Sequence, residues 1–202
     1  MPTYRIAKRF TFDAGHRLAR HPELCRFPHG HTYQVEVVLR ADALDAFDMV
    51  CDYQVLKSLV RSEVDRLDHA MILGPGDAAR EAFAPFAERL VVLADGEPTA
   101  EVIARHLFRA LAAVLRPGVD VTSAAGVSYR LPDGVRLEAV RLWETPTSWA
   151  EYSEEQGTGD RGPGTAEQGQ GTGDRGPGTA EQGQGTGKQE QGTGDRGPGT
   201  GR

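Results

Sequence analysis

The sequence is poor in cysteine, in aromatic residues and in long apolar runs. Two cysteines, Cys25 and Cys51, stand in 202 residues. So few exclude a disulfide scaffold and fit a reducing cytoplasm. No apolar run approaches about 18 residues, so no membrane-spanning helix is expected. The opening stretch MPTYRIAKRF lacks the apolar core of a signal peptide, and none is expected. Lys and Arg number 23 against 29 Asp and Glu, for a net charge of −6, with no basic block. That balance argues against a nucleic-acid partner, because neutralising phosphates takes clustered Lys and Arg.

What is present is divided unevenly. Of the 25 glycines, 17 follow Ser153, and the residues after Ser153 include only two apolar side chains, Ala166 and Ala180. Gly157–Gln170 reads GTGDRGPGTAEQGQ, and Gly171–Gln184 repeats it. A repeat without an apolar face cannot stack into a solenoid or offset its own ordering entropy. Residues 154–202 are therefore expected to be a disordered tail without a catalytic role. Residues 1–153 hold nearly all the apolar side chains and are expected to form one folded domain.

Within that domain, Tyr4–Phe12 and Thr32–Leu39 alternate or are rich in β-branched residues, which predicts two strands. Asp52–Leu67 carries Leu56, Leu59, Val60, Val64 and Leu67 at helical spacing. Glu81–Arg89 reads as a short helix. Pro98-Thr99 opens the clearest helix: Thr99 can cap it, Glu101 suits its N-terminal dipole, and Arg116-Pro117-Gly118 ends it. Val127–Leu131 and Val135–Trp143 flank Pro132-Asp133-Gly134, which predicts a hairpin. The order β-β-α-(α)-α-β-β implies an α+β fold: a four-stranded antiparallel sheet with two main helices packed on one face.

The chemistry concentrates in Cys25-Arg26-Phe27-Pro28-His29-Gly30-His31. On a strand, residues two apart share a face, so an H-x-H pair can grip one ion. His16, at the end of the first strand, meets the same place if the two strands form a hairpin. Three imidazoles with one open position are the ligand set of a catalytic zinc. Spacing alone leaves a plainer reading open, in which His29 and His31 are solvated and Cys25 is inert packing. Asp68 and His69 adjoin in sequence, and such neighbours seldom pair directly; Glu144 taken alone reads as surface charge.

Six blocks in order carry a resemblance. They are Phe12-Asp13-Ala14-Gly15-His16-Arg17-Leu18, Cys25-x-x-x-His29-Gly30-His31-Thr32-Tyr33, Val50-Cys51-Asp52-Tyr53-x-x-Leu56-Lys57, Leu67-Asp68-His69, Pro98-Thr99-Ala100-Glu101 and Trp143-Glu144-Thr145. Together they resemble the 6-pyruvoyl-tetrahydropterin synthase / 6-carboxy-tetrahydropterin synthase family, which has the tunnelling fold, or T-fold. The cysteine close before His29-Gly30-His31 resembles the bacterial 6-carboxy-tetrahydropterin synthases of the queuosine pathway.

The resemblance implies a zinc enzyme acting on 7,8-dihydroneopterin triphosphate, with zinc on His16, His29 and His31. It implies Cys25 as general base, since a thiol beside a cation ionises readily. Asp68 and His69 become a proton relay supplied by a neighbouring subunit of a homo-oligomer, a hexamer in the family. Glu144 becomes the pterin anchor, its carboxylate accepting two parallel N–H bonds, and Thr99 a second pterin contact. A triphosphate needs Lys or Arg, and the candidates include Arg17, Arg20 and Arg26, among which the sequence does not choose. The implied alternatives are the pyruvoyl reaction, which eliminates triphosphate and yields no acetaldehyde, and a non-catalytic metal-binding T-fold module. The sequence departs from the family at Val102, in place of an Asn, and in Gly74–Glu97, which is longer. Gly118–Gly134 reads as an added strand pair.

Overall fold

A computed structural model describes residues 2–154. The tail expectation for 154–202 falls outside the described residues from 155 onward.

Two long strands form the frame. β1 (Tyr4–His16) and β2 (His29–Ala41) pair antiparallel without interruption, from Tyr4 opposite Ala41 to His16 opposite His29. The second strand begins at His29 rather than Thr32, so the H-G-H motif lies inside the sheet. Gly30 fits there because a Cβ at that position would stand 3.1 Å from the Ala14 carbonyl oxygen.

α1 (Tyr53–Asp65) follows, capped by Asp52, whose side chain accepts from the Gln54 N–H at 2.7 Å. β3 (Ala70–Leu73), α2 (Arg80–Phe83), a 3-10 turn at Ala84–Arg89 and β4 (Leu90–Val92) come next. α3 (Ala100–Val114) is capped by Thr99, which accepts from the Val102 N–H at 3.4 Å. β5 (Asp120–Thr122), β6 (Ser128–Arg130), β7 (Arg136–Thr145) and β8 (Ser148–Tyr152) complete the domain.

The fold is α+β as expected, but the sheet is not a four-stranded antiparallel one. It has six strands in the order β4-β3-β1-β2-β7-β8, and β3 and β4 run parallel to their neighbours. β3 and β4 are four and three residues long, too short for alternation to announce them. The predicted hairpin across Pro132-Asp133-Gly134 does not form either. β6 turns back onto β5 as a separate two-stranded sheet, while β7 pairs with β2 and β8. The added strand pair read in Gly118–Gly134 is thus β5–β6.

Alternation sorts the strands into two faces. Phe10, Phe12 and Ala14 of β1, Tyr33, Val35, Val37 and Leu39 of β2, and Val140 and Leu142 of β7 point inward. They meet Val55, Leu56, Val60 and Val64 of α1 and Ile103, Leu107, Phe108 and Leu111 of α3. Burying each large side chain in this layer contributes about 1.5–3 kcal/mol.

The opposite face is polar and paired within the chain. Arg5 donates to Glu138 at 2.5 and 2.8 Å. Glu36 accepts from Arg9 at 2.8 Å and from Arg141 at 2.9 Å, and Arg141 also binds Glu151. Burial pushes the Glu36 carboxyl upward, but the two guanidinium groups outweigh it and hold it below the usual range. Among the described residues, no helix is long and apolar enough to cross a membrane.

Candidate functional site

The inward row of β1 ends in His16, and that of β2 begins with His29 and His31. The hairpin register therefore brings the three imidazoles to one end of the core face. One ring nitrogen from each lies within 4.8 Å of the others. His16 is 1 % exposed, and the other two are half-buried.

Backbone carbonyls orient two of the rings. His16 Nδ1 lies 2.7 Å from the Pro98 oxygen, and His29 Nδ1 lies 2.8 Å from the Phe27 oxygen. A carbonyl only accepts, so each Nδ1 carries the hydrogen. In the neutral rings each Nε2 is then a bare lone pair. Burial pushes the His16 pKa down, the Pro98 carbonyl and Glu144 oppose this, and His29 and His31 add to it. Neutral His16 is therefore favoured. Yet the Nε2 atoms of His16 and His29 face each other at 3.0 Å. Two lone pairs at that distance repel unless a cation lies between them. Imidazoles held by carbonyls through the far nitrogen are the usual form of metal-ligating histidine. The residues fit a metal ion.

Glu144, near the end of β7, closes the group. Its Oε1 lies 3.2 Å from His16 Nε2 and 3.5 Å from His31 Nε2. Tyr33, next inward from His31 on β2, forms the floor. Its ring stands edge-on to His16 and His31, at centroid distances of 6.0 and 5.5 Å, and stacks on Phe12 at 5.1 Å. Among the described residues its hydroxyl is buried without a partner, and burial, then the Glu144 charge, push its pKa upward.

The remaining motif residues are placed apart from this cluster. Cys25 lies on a short 3-10 turn, Leu24–Arg26, in the connection between β1 and β2, half-buried, with its carbonyl accepting from the Leu18 N–H at 2.8 Å. It is outside the group of mutually close ligand atoms. Thr99 caps α3, so the Pro98 carbonyl that holds His16 belongs to the start of that helix.

Asp68 and His69 do pair directly, with Nδ1 to Oδ2 at 3.0 Å, against the expectation for sequence neighbours. The cause is the backbone: His69 adopts a left-handed φ of 56°. Its N–H donates to the Asp13 oxygen at 2.6 Å, while the Asp13 N–H donates to Asp68 Oδ1 at 2.9 Å. That N–H bond, opposed by burial and helped by His69, holds the Asp68 carboxyl below its usual range. The exposed His69 lines a shallow cleft of 560 Å³ with Asp13, Gly15, Gly30, His31 and Thr32.

Two of the basic candidates are already engaged: Arg17 with Asp77 at 3.1 Å and Arg20 with Glu97 at 3.0 Å. The Arg26 guanidinium lies 4.9 Å from the Phe27 ring centre. Sequence reading missed the Pro98 and Phe27 carbonyls and the Tyr33 hydroxyl. Carbonyls have no residue type to flag them; Tyr33 was legible as the next inward position after His31.

Known proteins are similar to this chain over most of the described domain. The family model for 6-pyruvoyl tetrahydropterin synthase matches residues 5–155. The 6-carboxy-5,6,7,8-tetrahydropterin synthase of Haemophilus influenzae is 32% identical over 158 residues, covering 75% of this chain and 99% of that protein. The enzyme of the same name from Aquifex aeolicus is 30% identical, again covering 75% of this chain and 99% of that protein. Among solved structures, an uncharacterized protein of Wolinella succinogenes superposes with a TM-score of 0.61 at 25% identity, over 77% of this chain and 100% of that one. The Plasmodium vivax 6-pyruvoyl tetrahydropterin synthase shares the fold, with a TM-score of 0.56 at 17% identity over 76% of this chain and 99% of that one. By its sequence and its fold, the chain belongs to the 6-pyruvoyl tetrahydropterin synthase family.

Proposed function

We propose that the protein is a zinc-dependent 6-carboxy-5,6,7,8-tetrahydropterin synthase. It converts 7,8-dihydroneopterin triphosphate and water to 6-carboxy-5,6,7,8-tetrahydropterin, acetaldehyde and triphosphate, for 7-deazaguanine synthesis of the queuosine type. The observation that carries the reading is the 3.0 Å contact between the Nε2 atoms of His16 and His29, both anchored through Nδ1 to carbonyls.

His16, His29 and His31 would hold the zinc. Bound there, zinc supplies a Lewis acid that makes the hydroxyls of the substrate side chain, and the C–H beside them, more acidic. Cys25 is the base that takes the proton from that carbon. Its place on the loop between the two histidine-bearing strands supports this role. Glu144 anchors the pterin through two N–H bonds from the ring edge, and Thr99 sits beside it at the start of α3.

Asp68 and His69 form the relay that moves the proton onward. The 73% exposure of the His69 side chain supports its use by a neighbouring copy, so that the enzyme works as a homo-oligomer in the cytoplasm. Among the described residues, the outer strands β4 and β8 each leave one edge unpaired, which an oligomer would cover.

The test is product analysis with the zinc-loaded full chain and 7,8-dihydroneopterin triphosphate. Acetaldehyde together with the carboxy product, both lost on chelation of zinc, is the expected result. A pyruvoyl product without acetaldehyde would assign the protein to the other reaction of the family. No consumption of substrate by a folded, zinc-bound oligomer would overturn the enzymatic reading.

A further inference from the structure

The substrate of the proposed reaction carries its hydroxyls and its triphosphate on one short carbon chain, so its phosphates come to lie beside the histidine cluster. Negative charge there calls for guanidinium groups. The connection from Arg17 to Pro28 holds three arginines, Arg17, Arg20 and Arg26, against one acid, Glu23. It starts directly after His16 and folds back on itself. The Leu18 N–H donates to the Cys25 oxygen at 2.8 Å, and the His21 N–H to the Leu18 oxygen at 2.9 Å. Arg17 therefore stands between His16 and the backbone of the turn that bears Cys25.

The structure distinguishes the three arginines. Arg17 Nε lies 3.1 Å from Asp77 Oδ2, and Arg20 Nε donates to Glu97 Oε1 at 3.0 Å. The contacting atom is Nε in both, and the terminal Nη pair of each guanidinium is outside the contact. On the outer face of the sheet the terminal groups are used: Arg5 binds Glu138 through Nε and Nη2, and Arg141 binds Glu36 through Nη1. Arg26 donates through Nη1 to the Pro22 oxygen of its own turn at 3.4 Å.

The groups that hold Arg17 and Arg20 are themselves fixed. The Asp77 side chain is 2% exposed, and its Oδ1 accepts from the Ala79 N–H at 2.8 Å. A carboxylate so enclosed needs a cation, and this keeps Arg17 in place. Glu97 precedes Pro98, whose oxygen meets His16 Nδ1 at 2.7 Å, so Arg20 and His16 are tied to consecutive residues. Both carboxylates belong to Gly74–Glu97, the segment in which this chain departs from the family pattern. The two ends of that segment meet, since a Cβ on Gly74 would stand 3.1 Å from the Gly96 oxygen.

We infer that Arg17, flanked by Arg20, receives the triphosphate of the substrate. This rests on the pterin reading above and names the groups that select the phosphorylated form. A guanidinium held at Nε presents its terminal N–H groups as a fork, which fits two oxygens of a phosphate. Arg17 carries the larger share because buried Asp77 fixes it, with 25% of its own side chain left exposed. Arg20 is 78% exposed, and solvent and salt screen its charge.

Two ligands separate the phosphates from the rest of the substrate. One is 7,8-dihydroneopterin triphosphate; the other is 7,8-dihydroneopterin, with the same ring and hydroxyls and no phosphate. Both are titrated calorimetrically into the zinc-loaded full chain carrying Cys25→Ala, which slows turnover. This parent is expected to bind the triphosphate more tightly, by at least about 10-fold. Arg17→Ala should weaken triphosphate binding by about 10–100-fold, the worth of hydrogen bonds to a charged group, and leave dihydroneopterin binding unchanged. Arg17→Lys keeps a charge opposite Asp77 but not the fork and should lose part of the preference; Arg20→Ala should lose less than Arg17→Ala. Arg17→Ala leaves Asp77 buried without its cation, so Arg17→Ala with Asp77→Asn removes both charges and should show the same loss.

Triphosphate binding unchanged in the folded Arg17 variants, each holding one zinc, would overturn the inference. Equal weakening of both ligands, the mark of a merely structural ion pair, would also overturn it. So would a parent that binds both ligands equally. These outcomes leave the pterin reading standing. A folded, zinc-bound parent that binds neither ligand would overturn the inference and the pterin reading beneath it.

Discussion

The two faces of one sheet are made by alternate residues of the same strands and treat charge in opposite ways. On the outer face, Glu36 meets Arg9 and Arg141, and Glu138 meets Arg5. On the inner face, at the end of β1 and β2, Glu144 meets imidazoles and, among the described residues, forms no ion pair with a Lys or Arg. These outer carboxylates are paired within the chain as folded. The inner group is a set of side chains able to hold a cation. The difference separates a charge network closed within the chain from a candidate metal site, although both consist of polar groups on a sheet.

The largest effect that sharpens this contrast is expected on the inner face. His29→Ala removes one of the three imidazoles and should weaken zinc binding by more than about 100-fold, beyond what loss of a supporting partner costs, and abolish turnover; isothermal titration and the acetaldehyde assay check it. Cys25→Ala should leave zinc stoichiometry intact and lower turnover by about 10²–10⁴-fold, the usual worth of a general base. Turnover close to that of the wild type would remove Cys25 from the mechanism.

The apolar core against the inner face comes next. Leu111→Ala, at a fully buried position of α3, should cost about 2–5 kcal/mol in urea unfolding, because a cavity is left behind. Glu36→Gln tests the outer face and should cost about 1 kcal/mol at neutral pH, with zinc binding unchanged. The sign of its pH dependence follows from the lowered folded-state pKa of Glu36. The stabilisation is fully present above the unfolded value of about 4.5 and is lost as pH falls through the folded one. The gap between wild type and Glu36→Gln in unfolding should therefore close in acid. The smallest effect is expected from Thr99→Ala, at about 0.5–1 kcal/mol, since its capping bond is long at 3.4 Å.

Much of this was legible in the residues. Asp52 and Thr99 announced the starts of α1 and α3, and apolar spacing marked their buried faces. His16, His29 and His31 were found from the H-x-H rule plus a hairpin, and the register from His16 opposite His29 supplied that hairpin. β3, β4 and β8 were not found, because three to five residues carry too little pattern. The turn at Pro132-Asp133-Gly134 misled because turn chemistry states where the chain bends, not which strand it then joins. The direct Asp68–His69 pair was missed because it depends on one left-handed residue that no side-chain type foretells.

The sequence by itself determined the helices, the two long strands and the residue types able to hold a metal. These follow from local rules: capping, the 3.6 and 2.0 periods, and donor chemistry. Only the tertiary structure decided how the strands are ordered, which carbonyls hold His16 and His29, and that Glu144 stands among the imidazoles while Glu36 stands among guanidinium groups. Both glutamates lie on strands, and neither residue type nor spacing tells them apart. Their difference comes from which face the register turns them to and from what distant segments bring there, and that is settled by pairing and packing across the whole chain.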